Sequence, residues 1–547
     1  MLSPRIWPRS ISPPAKSRRR LCSGWLPRAV LVAGALAGWL ASAQPLRSLD
    51  PYGEEDEETA EEAKMPQDEK VARRACSICH VFVEPDMLTK KNWAEQILPR
   101  MSVRLGVAKP DFSSSPEGEL IRAKKIYTDK PLVPVEWWPL IQQFYLDRAP
   151  VEPLPQEPHA PIEIGLPGFR VVPARFRTPD PSTTLVKIRP GRRQIFVGDD
   201  KLKSLFLLDS DGAFVSRIEL GNVPVDVVET ERGIYVTCVG SFLPSEVPRA
   251  ELVFLPQQGD GFGAKKVILK ELPRATQAEF ADFNGDGKMD FALCMFGNLT
   301  GRFSWFENLG NDEYREHVLS KETGAMYCAA RDFNGDGKVD LAVLMAQHLE
   351  SLIVMPNDGQ GNFGGSSVFQ KPPVYGHSFM EAVDFNGDGK LDFLVTNGDN
   401  GEYESPLKRY HGVRLYLAQS DGEYEEKFFY PLNGAYRAFA RDFSGSGRQD
   451  IAAISYFPDY RNNPRESFVF LKNLGDLKFA PSTFPQCIAG RWLVMDVGDL
   501  DGDGDLDLVL GSYIHGPGAA PSFLLQTWQE RGPSVLILRN LAKDATK

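Results

Sequence analysis

Cys76-Ser77-Ile78-Cys79-His80 brings two thiols and an imidazole within about one helical turn. That pattern suits covalent haem attachment, in which both sulfurs add to haem vinyl groups and His80 binds the iron on its proximal side. Two other chemistries use the same thiols. A zinc site needs further Cys or His ligands nearby, and the next histidine is the distant His159. A thioredoxin-like dithiol needs a βαβ context that the Pro-rich and helical surroundings do not offer. Haem c is therefore the expected cofactor. Met101 is the expected distal ligand, since a thioether there raises the reduction potential; the competing reading is plain core packing. Met87 follows His80 too closely to cross to the other haem face.

A second group of residues recurs. Asp282, Asn284, Asp286, Lys288 and Asp290 form the loop DFNGDGKMD; Asp332, Asn334, Asp336, Lys338 and Asp340 repeat it, as do Asp384, Asn386, Asp388, Lys390 and Asp392. A fourth copy, DLDGDGDLD, carries Asp499, Asp501, Asp503, Asp505 and Asp507. Each loop offers side-chain oxygens at positions 1, 3, 5 and 9, a backbone carbonyl at position 7 and a glycine at the sharp turn, which is the donor set of a hard cation. About four Ca²⁺ sites are expected. Position 12 is not glutamate (Leu293 in the first copy), and an apolar β run follows each loop, so these are not EF-hands. DFSGSGRQD, Asp442 to Asp450, is a decayed fifth copy with serines at positions 3 and 5, expected to bind metal weakly or not at all.

The elements that must hold these residues follow from periodicity. Trp93, Ile97 and Met101 fall four apart, one stripe of a helix, and a closing helix from Val135 to Leu146 puts Trp138, Ile141 and Tyr145 on one side. Past residue 165 the loops recur at offsets of 50, 52, 58 and 57 residues. Hairpins such as FSWFENLGNDEYREHVL count seven units, of which only the last lacks a second strand. Gly168 to Phe176 is positioned to supply it and close a ring. The first two units have no metal loop and must hold by packing.

These motifs resemble known families. Residues 66–150 are similar to a small class I type cytochrome c domain, closest to the short cytochrome-like modules that precede FG-GAP/VCBS repeats in exported bacterial proteins. The resemblance implies electron transfer through Cys76, Cys79, His80 and Met101. The repeats resemble the FG-GAP repeats of integrin alpha subunits and bacterial VCBS repeats, which are seven-bladed propellers with Ca²⁺ in blade loops. The expected fold is thus mainly β, a seven-bladed FG-GAP/VCBS propeller (166–547) preceded by an all-α haem domain (66–150) and a Pro-rich linker (151–165).

Residues 1–43 carry seven Arg/Lys and no acid, then the apolar run AVLVAGALAGWL and Ala41-Ser42-Ala43. That order reads as a signal peptide for periplasmic or extracellular export, with an uncleaved anchor as the alternative. Residues 44–65 read as an acidic disordered linker. The net charge is −11, and −18 without the leader, which excludes nucleic acid as a partner. The expected partner is a redox protein or an extracellular ligand, carbohydrate included, met by the aromatic loops of the last three units. His377, Tyr436, Arg491 and Trp492, just before the metal-loop strand of their units, are expected to border the central channel. Three functions fit: electron transfer with a docking propeller, non-enzymatic recognition, or an oxidoreductase with its active site on the propeller face and haem as electron acceptor. No catalytic motif selects among them.

Overall fold

The computed structural model describes residues 64–401, 406–518 and 520–543. The expected signal peptide and nearly all of the acidic linker lie outside the described residues. Among the described residues no helix is long and apolar enough to cross a membrane.

Seven antiparallel sheets form the blades of a β-propeller. Their innermost strands are Thr183–Arg189, Pro224–Thr230, Ala275–Ala281, Ala325–Arg331, His377–Val383, Ala435–Arg441 and Trp492–Gly498. Second strands such as Asp290–Met295 are buried throughout, because each lies inside a blade packed on both faces. Outer strands such as Glu313–Ser320 carry charged residues and reach solvent. The ring closes as the hairpin count requires. Phe169–Pro173 pairs antiparallel with Val535–Asn540, Phe169 opposite Asn540, so the N-terminal side of the propeller completes the last blade and removes its open edge.

The helical module contains α1 (Gln67–Cys76), α2 (Leu98–Arg104), α3 (Gly118–Ala123) and α4 (Trp138–Arg148). α1 buries Val71, Ala72 and Ala75 in a core shared with Trp93 and with Ile141, Phe144 and Tyr145 of α4. The Trp93 and Tyr145 rings stack 3.9 Å apart. Full burial of each large side chain here adds about 1.5–3 kcal/mol. The expected Trp93, Ile97, Met101 stripe is not kept. Residues Trp93–Ile97 make a π-turn, with Leu98 N–H donating to Trp93 C=O. Pro99 has no N–H to continue the α ladder, and the wider turn shifts Met101 off the buried face of Trp93. Met101 is half-buried.

Residues 151–165 follow the propeller surface. Gln156 donates to the carbonyls of His411 (3.0 Å) and Lys408 (3.4 Å), and Glu163–Ile164 adds a parallel strand to Lys478–Thr483 of the sixth blade. His159 packs on Tyr430 and stands 3.6 Å from the buried Glu466, which raises its proton affinity. The stabilisation from this pair is full below the unfolded value of about 6.5 and is lost as pH rises through the raised folded value. Amide exchange across residues 156–165, corrected for its intrinsic pH dependence, should be slower at pH 6 than at pH 8.

Candidate functional site

The CSICH motif begins at the last residue of α1 and continues into the turn beyond it. Burial pushes the Cys76 thiol up to about 11, against the pull of the Tyr145 hydroxyl. Burial also raises Cys79, against the pull of Arg104, with Glu322 adding to the rise. A redox dithiol needs a depressed thiol, so these environments disfavour that chemistry. His80 Nδ1 contacts the Val81 carbonyl at 2.9 Å, which selects the Nδ1–H tautomer and leaves Nε2 as the basic nitrogen. Burial lowers the proton affinity of His80, as does the charge of His348. A neutral imidazole presenting Nε2 beside two free thiols is the donor set that haem c requires.

Glu322 and His348 belong to the propeller, so the motif faces that surface. Further contacts fix the two parts together. Glu117 accepts from Ser245 Oγ and Glu246 N–H, each at 2.6 Å; Arg409 pairs with Asp86 at 2.6 Å; and Tyr410 and Val374 enter the core of the helical module. These propeller residues lie on the loops opposite the repeated acidic loops. Among the loops expected to bind a partner, Arg409 and Tyr410 are thus taken up by the helical module. Tyr456, Tyr460 and Trp528 are buried within the propeller itself.

The acidic loops share one geometry. Asp282 Oδ1 accepts from Gly285 N–H at 2.8 Å and Oδ2 from Gly287 N–H at 2.8 Å, and Asp332, Asp384 and Asp499 repeat this. Positive φ values of 73° and 82° at Gly285 and Gly287 let the backbone turn that tightly. The last residue of each loop has a different task. Asp290 is fully buried, and its carboxylate accepts Phe283 N–H at 3.1 Å and Asn308 N–H at 2.7 Å, joining the loop to the third strand of its blade. Asp340, Asp392 and Asp507 do the same, and burial raises the proton affinity of all four.

The copies differ where a cation would sit. Lys288 and Lys338 place their ammonium groups 2.8 and 3.1 Å from Asp286 and Asp336. Lys390 turns away to the Gln419 carbonyl, leaving Asp388 and Asn386 facing each other at 3.3 Å. In the fourth loop, oxygens of Asp499, Asp501 and Asp503 lie within 4.8 Å of one another, close enough to share one ion. Asp505 there is pushed up to about 6, chiefly by burial.

Sequence reasoning missed the asparagines that lock loop to blade. Asn357 Nδ2 donates to Val339 C=O at 2.9 Å and to Phe283 C=O of the preceding blade at 2.8 Å; Asn540 reaches Phe443 C=O in the same way at 2.9 Å. Their signal is the recurring Asn in ENLG, PNDG, KNLG and RNLA. Asn357→Ala should cost about 2–3 kcal/mol, because the buried Phe283 carbonyl and the half-buried Val339 carbonyl lose their donor. Urea unfolding measures it.

The channel runs between the innermost strands and encloses a cavity of about 470 Å³. His377, Tyr436, Arg491 and Trp492 do not line it, contrary to expectation. Irregular pairing at the start of each innermost strand, as between Trp492 and Val494 or His377 and Phe379, turns the first residues outward. His377 is buried against Glu350, Trp492 Nε1 donates to Cys487 C=O at 2.6 Å, and Arg491 stacks on Tyr456 while binding the carbonyls of Tyr456 and Pro517. The residues two, four and six places further face inward: Asp226, Gln277, Tyr327, Phe379 and Arg437, then Lys187, Glu279, Glu381 and Asp496, then Arg331 and Arg441. Arg441 pairs with Glu381 at 2.6 Å, and Lys187 approaches Asp496 at 3.7 Å. Glu279 is raised to about 7 by burial and by the charge of Asp226.

Residues 282–343, 332–395, 384–453 and 442–510 match the FG-GAP-like repeat. The chain therefore carries FG-GAP repeats within a seven-bladed β-propeller, an architecture that points to ligand binding or recognition. No curated protein matches it. Among solved structures, the N-terminal domain of Nup159 is similar at 11% identity over 70% of this chain and 98% of that one, with a TM-score of 0.40. The Cps50 (Swd1) β-propeller domain of Myceliophteria thermophila gives 9% identity, 67% and 99% coverage, and a TM-score of 0.41. At these scores neither likeness says what this chain binds.

Proposed function

We propose that this chain is an exported c-type haem protein that transfers electrons, with a Ca²⁺-stabilised propeller as its docking and binding part. The observation that carries the reading is the end of α1, where Cys76, Cys79 and a tautomerically fixed His80 stand together. Cys76 and Cys79 would hold the group covalently, His80 would supply the proximal nitrogen and Met101 the distal thioether. Haem supplies one-electron chemistry when bound. The chain's own residues lower the proton affinity of His80, and Trp93 stacked on Tyr145, with Phe144 edge-on to Tyr145, packs in the core that holds α1 against α4. Asp499, Asp501 and Asp503 form the best-assembled cation site, and the other three loops would follow once the lysines at Asp286 and Asp336 give way.

A second reading, an oxidoreductase with its active site on the propeller face and haem as electron acceptor, is favoured by one observation: Glu322 and His348 of the propeller act on Cys79 and His80. Protein expressed in a periplasm with haem-maturation machinery should give a thioether-type pyridine haemochrome spectrum, and the Cys76→Ala/Cys79→Ala variant should lack covalent haem. Colourless wild-type protein at the apo mass would sink the haem assignment. Reduction of the haem on adding a substrate would select the enzyme over the carrier.

A further inference from the structure

Arg437 is one of two channel cations without an ion pair. Arg441 and Lys187 have carboxylates beside them, whereas no carboxylate among the described residues lies within ion-pair distance of Arg437 or of Arg331, which donates to the Ala330 carbonyl and acts on Glu279 from farther off. Its guanidinium donates to Met495 C=O at 3.1 Å and to the Tyr327 hydroxyl, and it rests 4.9 Å over the Phe379 ring. Two of its five N–H donors are used in those bonds. It extends from the sixth blade far enough for its charge to act on Lys187 and Asp226, in the first and second. A half-enclosed cation with spare donors and no carboxylate in contact with it is relieved by an anion, and a carboxylate fits the guanidinium edge with two parallel bonds.

The opposite wall asks for something else. Asp226, Glu279 and Gln277 present acceptors and one amide, and Asp226 and Glu279 repel each other. That wall rejects a second anion and accepts hydroxyl protons. It is no cation site, since the carboxylate oxygens of the channel do not converge as those of Asp499, Asp501 and Asp503 do. The cavity of about 470 Å³ is of small-ligand size.

We propose that the propeller channel binds a small polyhydroxylated monocarboxylate of the sugar-acid class, its carboxylate on Arg437 and its hydroxyls on Asp226, Gln277 and Glu279. This site does not depend on haem, so it stands or fails separately from the electron-transfer reading. Calorimetric titration of the full chain with D-gluconate tests it against two partial mimics, D-glucitol, which keeps the hydroxyls without the carboxylate, and acetate, which keeps the carboxylate alone. Gluconate should bind at least tenfold more tightly than either. Arg437→Met should weaken gluconate at least tenfold. Ala329→Phe removes no polar bond and fills the channel, so it should abolish binding even if Arg437→Met folds poorly. Equal binding of glucitol would overturn the carboxylate anchor, equal binding of acetate the hydroxyl wall, and no gluconate binding, or binding untouched by Ala329→Phe, the site itself.

Discussion

Removing divalent cations with EDTA should lower the melting temperature of the propeller by roughly 10 °C. Each site that binds only the folded chain would add about 2.7 kcal/mol at a hundredfold excess of metal over Kd, and four such sites would act on one cooperative ring. The loops are not equal, however. Asp503→Ala should reduce the melting temperature in Ca²⁺ and change little in EDTA, because Asp499, Asp501 and Asp503 already converge on one point. Asp286→Ala should have a smaller effect, since the Lys288 ammonium already neutralises that carboxylate and a cation must displace it. The lysine also explains why Asp286 is held below the usual carboxylate range. Identical calorimetric traces in Ca²⁺ and EDTA would reduce all four loops to turns.

The blade count was legible because each unit writes its own punctuation. Asp282, Asp332, Asp384 and Asp499 begin near-identical loops, and a glycine-bearing hairpin marks the units that lack one. Even the clasp at Phe169–Pro173 showed as the one strand without a partner hairpin. Residues 151–165 were harder. A proline-rich segment without apolar alternation reads as a linker, yet Gln156 and His159 give it side-chain anchors that pattern cannot show. The π-turn at Trp93 was hidden for a related reason: a four-residue spacing predicts one face only while the helix keeps its pitch, and Pro99 breaks it.

The channel was the least legible part. Its charged residues come from seven strands, and each appears in the sequence as a lone charge among apolar neighbours: Lys187 in TTLVKIR, Glu279 in ATQAEFA, Glu381 in HSFMEAV, Asp496 in WLVMDVG. The position just before the metal-loop strand points to His377 and Trp492 as channel residues, and the structure turns both outward. The irregular first pair moves the inward set onward by two residues, which only the register reveals. The CSICH motif was legible in full as a pattern, whereas its orientation toward Glu322 and His348 depends on how the module docks.

Asp450→Ala should destabilise the propeller by about 3–5 kcal/mol, equally in Ca²⁺ and EDTA. This residue closes the decayed loop, where Ser444 and Ser446 replace the side chains that would gather a cation. The loop nevertheless keeps the shape of its relatives. Asp442 accepts from Ser446 and Gly447 N–H at 2.8 Å, as Asp282 accepts from its own loop. Asp450 is fully buried, and its carboxylate takes Ser444 N–H at 3.0 Å and Asn473 N–H at 2.8 Å. Alanine would leave both buried donors unpaired and detach the loop from the third strand of the sixth blade. Ser446→Ala, which removes only an exposed hydroxyl, should stay within about 0.5 kcal/mol of wild type. The contrast separates two roles that the intact copies combine: the first and last aspartates fold the loop, and the third and fifth positions would join the first in holding an ion. If Asp450→Ala unfolded at the wild-type urea midpoint, the carboxylate joint would carry no weight, and the persistence of this loop without its acidic centre would need another cause.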